Sequence, residues 1–246
     1  MPDRMGHRAK WGLIVPERNT VCESEMHAAV PGGITINTAR IARDQAATWA
    51  NDAAFKDMAQ GIRAGEPAAL ARLMPAEPDY YIVGDAGFTI GRDDHEALAK
   101  DYEAQTGKGV ATAARAYQHA LDAMNVQRVA VLTPRLPASG IVSGGLWEDC
   151  GYTVSAAKGL DCASAFDIVN TSEESLREGV VALCASDAEV ILATGTNIFL
   201  MHFADVLEHD LGKPILHINT VLLWYALRQN GFDDRIEGCG RLLREY

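Results

Sequence analysis

The hydrophobic pattern of the chain predicts a parallel α/β protein. Short segments that are apolar nearly throughout alternate with longer segments of helical periodicity, as expected when helices cover both faces of a parallel sheet. The predicted strands are Trp11–Pro16, Ile34–Ala42, Tyr80–Val83, Arg128–Thr133, Thr153–Ala157, Val190–Ala193 and Pro214–Ile218. The predicted helices are Ala53–Leu73, Lys108–Met124, Glu173–Ala185 and Val221–Gln229.

The predicted elements repeat in two similar halves. In each half an apolar strand runs into a proline-containing turn, at Leu13–Pro16 and again at Val131–Pro134. A second strand of the same kind follows in each half, at Tyr80–Val83 and at Val190–Ala193. We therefore expect two α/β lobes that face each other across a cleft. Residues 1–115 and 220–246 would form lobe one, and residues 116–219 would form lobe two.

Four of the predicted strands end in small or polar residues. These junctions are Val15–Thr20, Val83–Gly87, Leu132–Arg135 and Ala193–Asn197. Turns alone would explain any one of them, because Gly, Asn, Asp and Thr are common turn residues. The carboxyl ends of parallel strands meet at one edge of the sheet, where the loops form the binding crevice. Four such junctions together therefore favour a binding site at this edge.

The composition of the chain limits the kinds of molecule that the protein is expected to bind. The chain of 246 residues carries 22 basic and 33 acidic side chains, a net charge of −11. Such a surface repels nucleic acids and anionic membranes, although a few donors in a cleft could still bind a small anion. The five cysteines are scattered and form no C-x-x-C pair, which predicts a reducing compartment. With no signal-peptide core and no run of about 20 apolar residues, we expect a cytoplasmic protein.

Common cofactor and metal motifs are missing from the sequence. It contains no G-x-G-x-x-G, H-E-x-x-H or G-x-S-x-G motif. Thr106–Gly109 lacks the first glycine and the preceding strand of a phosphate-binding loop. Asp93-Asp94-His95 is interpreted as a solvated turn, because three adjacent side chains point in different directions. We therefore predict neither a cofactor nor a metal.

Several segments together resemble one family. Gly12–Pro16, followed by Asn19-Thr20 and Glu23, resembles the opening of maleate cis-trans isomerases. With arylmalonate decarboxylases, these belong to the aspartate/glutamate racemase superfamily. Further similar segments follow in order at Thr106-Gly107, Arg128–Pro134, Pro214–Leu216 with Asn219 and Trp224, and Gly238–Leu243. Each segment is short, but together they cover nearly the whole chain at the expected spacing.

The resemblance implies two pseudo-symmetric lobes with four-stranded parallel sheets and an active site in the cleft between them. It also implies a cofactor-independent enzyme for a small carboxylate, in an assembly of two or more identical chains. Members of the family typically place a cysteine at the end of a strand in each lobe. One thiolate attacks or deprotonates carbon and the other supplies a proton, and the decarboxylases keep only the second.

This sequence departs from that pattern at the reacting positions. Alignment of the strands puts Asp85 at the first cysteine position and Gly195 at the second. Arg135 replaces the usual tyrosine, and His217 begins the pair that replaces two serines. Asn19 keeps the position of the substrate-binding asparagine. None of the five cysteines falls at either catalytic position, so we do not predict thiol chemistry.

The replacements allow two interpretations of Asp85. If desolvation raises the pKa of this carboxyl, Asp85 can act as a general acid or base. If Arg135 lies close enough to lower it, Asp85 is instead an ion-pair partner that orients the guanidinium. The small neighbours Ala86 and Gly87 would let a substrate approach and leave backbone N–H groups for an anion. Gly195 leaves no second acid or base unless His217 reaches across the cleft.

These residues make up the predicted site. The expected catalytic residues are Asp85 and His217, and the expected substrate-binding residues are Asn19, Ala86, Gly87, Arg135, Gly195, Thr196 and Asn197. The main hypothesis is an isomerase or decarboxylase of a small anionic substrate that works by proton transfer at carbon. The alternatives are a hydrolase of a cyclic or amide-bearing carboxylate, with Asp85 as base, and a ligand-binding protein without activity.

Overall fold

The computed structural model describes residues 3–42, 48–49, 51–85, 92–135 and 145–246. The strands in these ranges are β1 (Ala9–Pro16), β2 (Ile34–Ile41), β3 (Tyr80–Val83), β4 (Gly109–Ala111), β5 (Arg128–Thr133), β6 (Thr153–Gly159), β7 (Val190–Ala193) and β8 (Ile215–His217). The helices are α1 (Cys22–Ala29), α2 (Asp52–Leu73), α3 (Arg92–Thr106), α4 (Ala113–Ala123), α5 (145–149), α6 (Ala165–Val169), α7 (Glu173–Cys184), α8 (Met201–Leu211), α9 (Ile218–Gln229) and α10 (Arg241–Glu245).

The eight strands form two four-stranded parallel sheets with the same strand order. Lobe one has the order β2-β1-β3-β4 and lobe two the order β6-β5-β7-β8. The central pairs end in equivalent registers, with Ile14 opposite Val83 in lobe one and Leu132 opposite Ala193 in lobe two. This repeat confirms the predicted α/β fold of two pseudo-symmetric lobes. The division of the whole chain at residues 115 and 219 stays a prediction.

Two short segments differ from the sequence-based expectation. β4 was not predicted, because a strand of three residues beside an alanine-rich stretch resembles the start of a helix. The predicted helix Lys108–Met124 therefore shortens to Ala113–Ala123. The interpretation of residues 93–95 as a solvated turn is wrong, since they lie in α3 and His95 is buried.

The largest apolar cluster lies between the two sheets and joins the lobes. It contains Val15 and Ile82 of lobe one, Val131 and Leu192 of lobe two, and residues of α1, α4 and α9. Tyr117 of α4 also donates a hydrogen bond to the carbonyl of Ala193, over 2.9 Å. The carboxyl edges of the two sheets are therefore held together by a shared core. No helix in the described ranges is long and apolar enough to cross a membrane.

Candidate active site

The loops after β1 and β7 meet between the two lobes. Asn19 Nδ2 donates to Thr196 Oγ1 over 2.8 Å, and the backbone N–H of Thr20 donates to Asn197 Oδ1 over 2.9 Å. Asn19, Thr196 and Asn197 are all buried. The fold thus brings three of the predicted substrate-binding residues together from both lobes.

Asn19 is fixed by its own turn. Its Oδ1 accepts the N–H groups of Val21 and Cys22 at the start of α1, over 3.1 and 2.9 Å. Asparagine favours such turns because its side chain can accept hydrogen bonds from the backbone a few residues on. Arg40 on β2 donates to the Asn19 carbonyl over 2.6 Å and pairs with Glu23 over 2.7 Å. The amide of Asn19 is therefore held in place before any ligand binds.

The hydroxyl of Thr196 can still donate its hydrogen, because it acts as an acceptor towards Asn19. A threonine hydroxyl has one hydrogen to donate and two lone pairs to accept. Because Thr196 Oγ1 accepts from Asn19, its own hydrogen can be directed to an anion. Asn197 differs, since its Nδ2 donates to the Ala165 carbonyl over 2.9 Å while its Oδ1 accepts from Thr20. Asn197 thus holds the loops together with both ends of its amide.

Arg135 is covered by aromatic side chains that the sequence did not indicate. Its guanidinium carbon lies 3.8 Å from the centre of the Phe55 ring, and the residue is only 7% exposed. Phe55 meets Trp49 edge to face, and Trp49 Nε1 donates to the Cys162 carbonyl over 3.1 Å. A guanidinium stacked on a ring in a dry setting keeps its charge and its planar donors oriented. Residues of lobe one therefore place the cation of lobe two.

Asp85 follows the end of β3, and its charge acts on a second carboxyl group, that of Glu66. Asp85 is half-buried, and its charge is one cause of the raised pKa of Glu66 on α2. Burial is the larger cause, and the pKa of Glu66 reaches about 8 although Tyr102 and Arg63 act in the opposite direction. The Tyr102 hydroxyl donates to Oε2 of the Glu66 carboxyl group inside the lobe. Near neutral pH, Glu66 is therefore mostly protonated next to Asp85.

The two strand ends have no room for a further side chain. Gly195 has φ +136°, and a Cβ there would lie 2.9 Å from Pro134 Cγ. A Cβ on Gly84 would lie 2.9 Å from the Ile14 carbonyl oxygen and 3.0 Å from Cys22 Sγ. Contacts below 3 Å require neighbouring backbone or side-chain atoms to move. Glycine is thus required on steric grounds where the backbone passes the cleft.

The position of Cys22 was not expected from the sequence. Its thiol packs beside Gly84, at the same strand end as Asp85, although Cys22 belongs to α1. Burial raises the pKa of this thiol well above its usual value, and the charges of Glu25 and Glu23 add to the effect. Cys22 is therefore a protonated, enclosed thiol. Its place three residues after Asn19 was the only available signal.

His217 lies behind the site, fully buried at the end of β8. Its Nδ1 is 3.6 Å from Glu25 Oε2. Burial lowers the pKa of His217, while the charge of Glu25 opposes the change. Nearby, Thr133 Oγ1, Asn219 Oδ1 and Thr220 Oγ1 are buried and make no hydrogen bond within the described ranges. These oxygens are buried polar groups that a bound ligand could satisfy.

Two of the predicted substrate-binding residues, Ala86 and Gly87, lie outside the described residues. Within the described part of the chain, no group of three or more His, Cys, Asp and Glu side chains is placed to hold a metal ion.

Known proteins share this architecture over nearly the whole chain. A curated maleate isomerase of Nocardia farcinica is 22% identical over 95% of both chains. The solved structure of a cysteine-to-serine variant of maleate cis-trans isomerase from that organism, with a covalently bound succinylcysteine intermediate, superposes with a TM-score of 0.86. It is 21% identical and covers 97% of this chain and 99% of the other.

Further solved structures extend the comparison. A maleate isomerase of Pseudomonas putida S16 with maleate gives a TM-score of 0.85 at 18% identity, over 96% of this chain and 97% of the other. An arylmalonate decarboxylase gives a TM-score of 0.77 at 17% identity, over 95% and 98%. The family model for arylmalonate decarboxylase matches residues 84–243, which include the loops that follow β3 and β7. The chain therefore belongs to the arylmalonate decarboxylase family.

Proposed function

We propose that this protein is a cofactor-independent isomerase or decarboxylase of a small carboxylate, with Asp85 as the acid/base group in place of a cysteine. The observation that carries the proposal is the position of the half-buried Asp85 directly after β3, at the strand end of lobe one where Gly84 and Cys22 meet. A half-buried carboxylate at this edge can exchange a proton with a carbon held in the cleft. The relatives with maleate or an arylmalonate in their names support a small carboxylate as the substrate.

The anionic end of the substrate would bind on the side of lobe two. The Arg135 guanidinium offers a planar pair of donors that matches a carboxylate. The hydrogen of the Thr196 hydroxyl and the second hydrogen of Asn19 Nδ2 add neutral donors. Gly195 allows close approach of the backbone, whose N–H groups can stabilise an enediolate as charge develops. Asn197 contributes by holding the two loops together.

One acid/base group is sufficient for the proposed chemistry. In decarboxylation, the bond between carbon and carboxylate breaks, carbon dioxide leaves and its electron pair enters an enediolate. The protonated Asp85 carboxyl then delivers a proton to that carbon. In an isomerisation of a substrate with a hydrogen on the sp3 carbon next to its carboxylate, Asp85 removes that proton and the electron pair of the C–H bond enters the enediolate. Asp85 then returns the proton to carbon as the enediolate collapses to the carboxylate. The acid/base role of His217 stays a prediction, as do the homo-oligomeric assembly and the cytoplasmic location.

The test follows the fate of solvent hydrogen. The protein is incubated in D₂O with maleate, malate and alkyl- or arylmalonates, and the products are analysed by NMR and mass spectrometry. We expect deuterium bound to carbon in the product. Incorporation of oxygen from ¹⁸O-labelled water instead would show a hydrolase. A rise in melting temperature with ligand, but no turnover of any candidate, would show a binding protein.

A further inference from the structure

Glu25 is a buried carboxylate that connects the two lobes. It lies on α1 and is only 2% exposed. Its Oε1 accepts the N–H groups of Leu200 and Met201 at the start of α8, both over 2.8 Å. Its Oε2 accepts from Asn219 Nδ2 over 2.6 Å and lies 3.6 Å from His217 Nδ1. A carboxylate of lobe one thus contacts three segments of lobe two.

Such a burial is costly unless the carboxylate is fully hydrogen-bonded. Removing a carboxylate from water costs several kcal/mol, and well-packed apolar side chains often stabilise a fold as well or better. The two N–H groups at the start of α8 have no partner within the helix, and they carry its positive end. Oε1 of Glu25 satisfies both N–H groups. These two bonds do not explain why Oε2 also accepts a hydrogen bond from Asn219.

The contact with Asn219 leads directly to the anion-binding residues. Asn219 Nδ2 also donates to the backbone carbonyl of Thr196 over 3.0 Å. Thr196 Oγ1 in turn accepts from Asn19, whose Oδ1 accepts from the N–H of Cys22 on α1. The bonds therefore form a closed ring, from Glu25 through Asn219, Thr196 and Asn19 back to the helix that carries Glu25.

We propose that Glu25 is a positioning residue for anion binding, which fixes Thr196 and Asn19 through Asn219. This inference rests on the proposed function, because it gives Thr196 and Asn19 a substrate to bind. Glu25 itself does not touch the substrate. Its loss should let the Thr196 loop and the Asn19 turn separate, so the ligand would have to order both when it binds.

The chain contains a matched control. Glu208 is also buried and also accepts two backbone N–H groups, those of Ile215 over 2.7 Å and Arg241 over 2.6 Å. It faces a different cavity, beside α10, away from the ring that includes Asn19. Glu25→Gln and Glu208→Gln should therefore lose stability through the same kind of lost hydrogen bonds, while only Glu25→Gln should change the anion site.

The experiment measures melting temperature and the affinity for maleate and malonate in both variants. We expect both to melt at lower temperature, with affinity at least tenfold weaker in Glu25→Gln only. KM should rise to the same extent, with kcat within threefold of the wild-type value. Affinity of Glu25→Gln within twofold of wild type, or an equal loss in Glu208→Gln, would overturn the proposal.

A second variant serves if Glu25→Gln does not fold. Asn219→Ser breaks the link to Thr196 but leaves Glu25 its two backbone partners. In Asn219→Ser alone we expect the affinity for maleate and malonate to fall at least tenfold, and affinity within twofold of wild type would contradict the ring.

A readout without ligand separates this inference from the proposed function. The side-chain amide resonances of Asn19 should shift in Glu25→Gln and stay unchanged in Glu208→Gln. If they stay unchanged in both, Glu25 does not position Asn19. A wild-type protein that binds neither maleate nor malonate would contradict the proposed function alone.

Discussion

The strand ends of the two lobes differ in chemistry although they share one topology. Lobe one carries the Asp85 carboxyl after β3, and the charge of Asp85 acts on the buried Glu66 carboxyl of α2. Beyond β5 and β7, lobe two places the Arg135 guanidinium and the Thr196 hydroxyl, around a glycine with positive φ. The same strand order therefore carries different kinds of side chain in the two lobes. We infer that lobe one supplies the titratable groups and the Asn19 amide, and lobe two the cation and the other donors that hold an anion.

The largest effect is expected from Asp85→Asn, which removes the acid/base group and keeps the shape of the side chain. Turnover should fall by about 10²–10⁴-fold, the usual contribution of a positioned general acid or base. Affinity for a dicarboxylate should stay within a few-fold in calorimetry. Asp79→Asn, at the amino end of the same strand, is the control and should keep full activity. Equal activity of both variants would refute the division between the lobes.

The pH dependence of stability should reveal Glu66. Its pKa is raised from 4.5 to about 8 in the folded protein, so the folded state holds a proton that the unfolded state releases above pH 4.5. The contribution of Glu66 to the free energy of unfolding is therefore fully present below pH 4.5, and it is lost as the pH rises through about 8. Compared with Glu66→Gln, the wild-type protein should lose on the order of a few kcal/mol of unfolding free energy between pH 5 and pH 8.5, as measured by urea unfolding.

Two further variants sharpen this measurement. Tyr102→Phe should still lose stability as the pH rises, because the Glu66 carboxyl stays buried. Asp85→Asn should move the loss to lower pH, because it removes a negative charge that raises the pKa of Glu66. An unchanged profile in Asp85→Asn would mean that Asp85 points away from Glu66.

Arg135→Ala tests the anion side of lobe two. A charged hydrogen bond contributes about 1.5–3 kcal/mol, so affinity for the substrate should fall roughly 10- to 100-fold. Circular dichroism should show an intact fold. The control is Arg128→Ala, at the exposed amino end of the same strand, which should bind as wild type does. Unchanged affinity in Arg135→Ala would place the anion elsewhere.

Gly195→Ala tests whether the strand end of lobe two is closed to side chains. The variant combines a φ of +136° with a contact of 2.9 Å to Pro134, and we expect a loss of about 1–3 kcal/mol. Gly212→Ala has φ +69° but open space around its Cβ, and should lose less. Equal losses in thermal unfolding would show that the steric contact is relieved without cost.

The smallest effect is expected from thiol reagents. Burial raises the pKa of Cys22, Cys162, Cys184 and Cys239, which leaves these thiols protonated near neutral pH. Iodoacetamide at pH 7 should therefore leave turnover within twofold of the untreated protein. Rapid inactivation, prevented by Cys22→Ser, would show that sulfur takes part after all.

Much of the site follows from local patterns in the sequence. The apolar strands Tyr80–Val83, Arg128–Thr133 and Val190–Ala193 were predicted with the bounds that the structure has. Arg135 and Thr196 are predicted because polar residues after such strands gather at one edge, and Asn19 is predicted also because it keeps the position of the family's substrate-binding asparagine. The contacts of these residues could not be predicted, since Phe55 lies far along the chain from Arg135 and Thr196 far from Asn19.

The sequence by itself determined the α/β class, the repeat of two lobes and the residues at the strand ends, because these depend on periodicity and turn chemistry within short segments. Only the tertiary structure decided that Glu66 holds a proton beside Asp85, that Asn197 is occupied by the loops and that Glu25 joins the lobes. Those properties depend on burial and on partners from distant segments. A carboxyl group in water and one enclosed by two helices have the same letter in the sequence and different protonation in the protein.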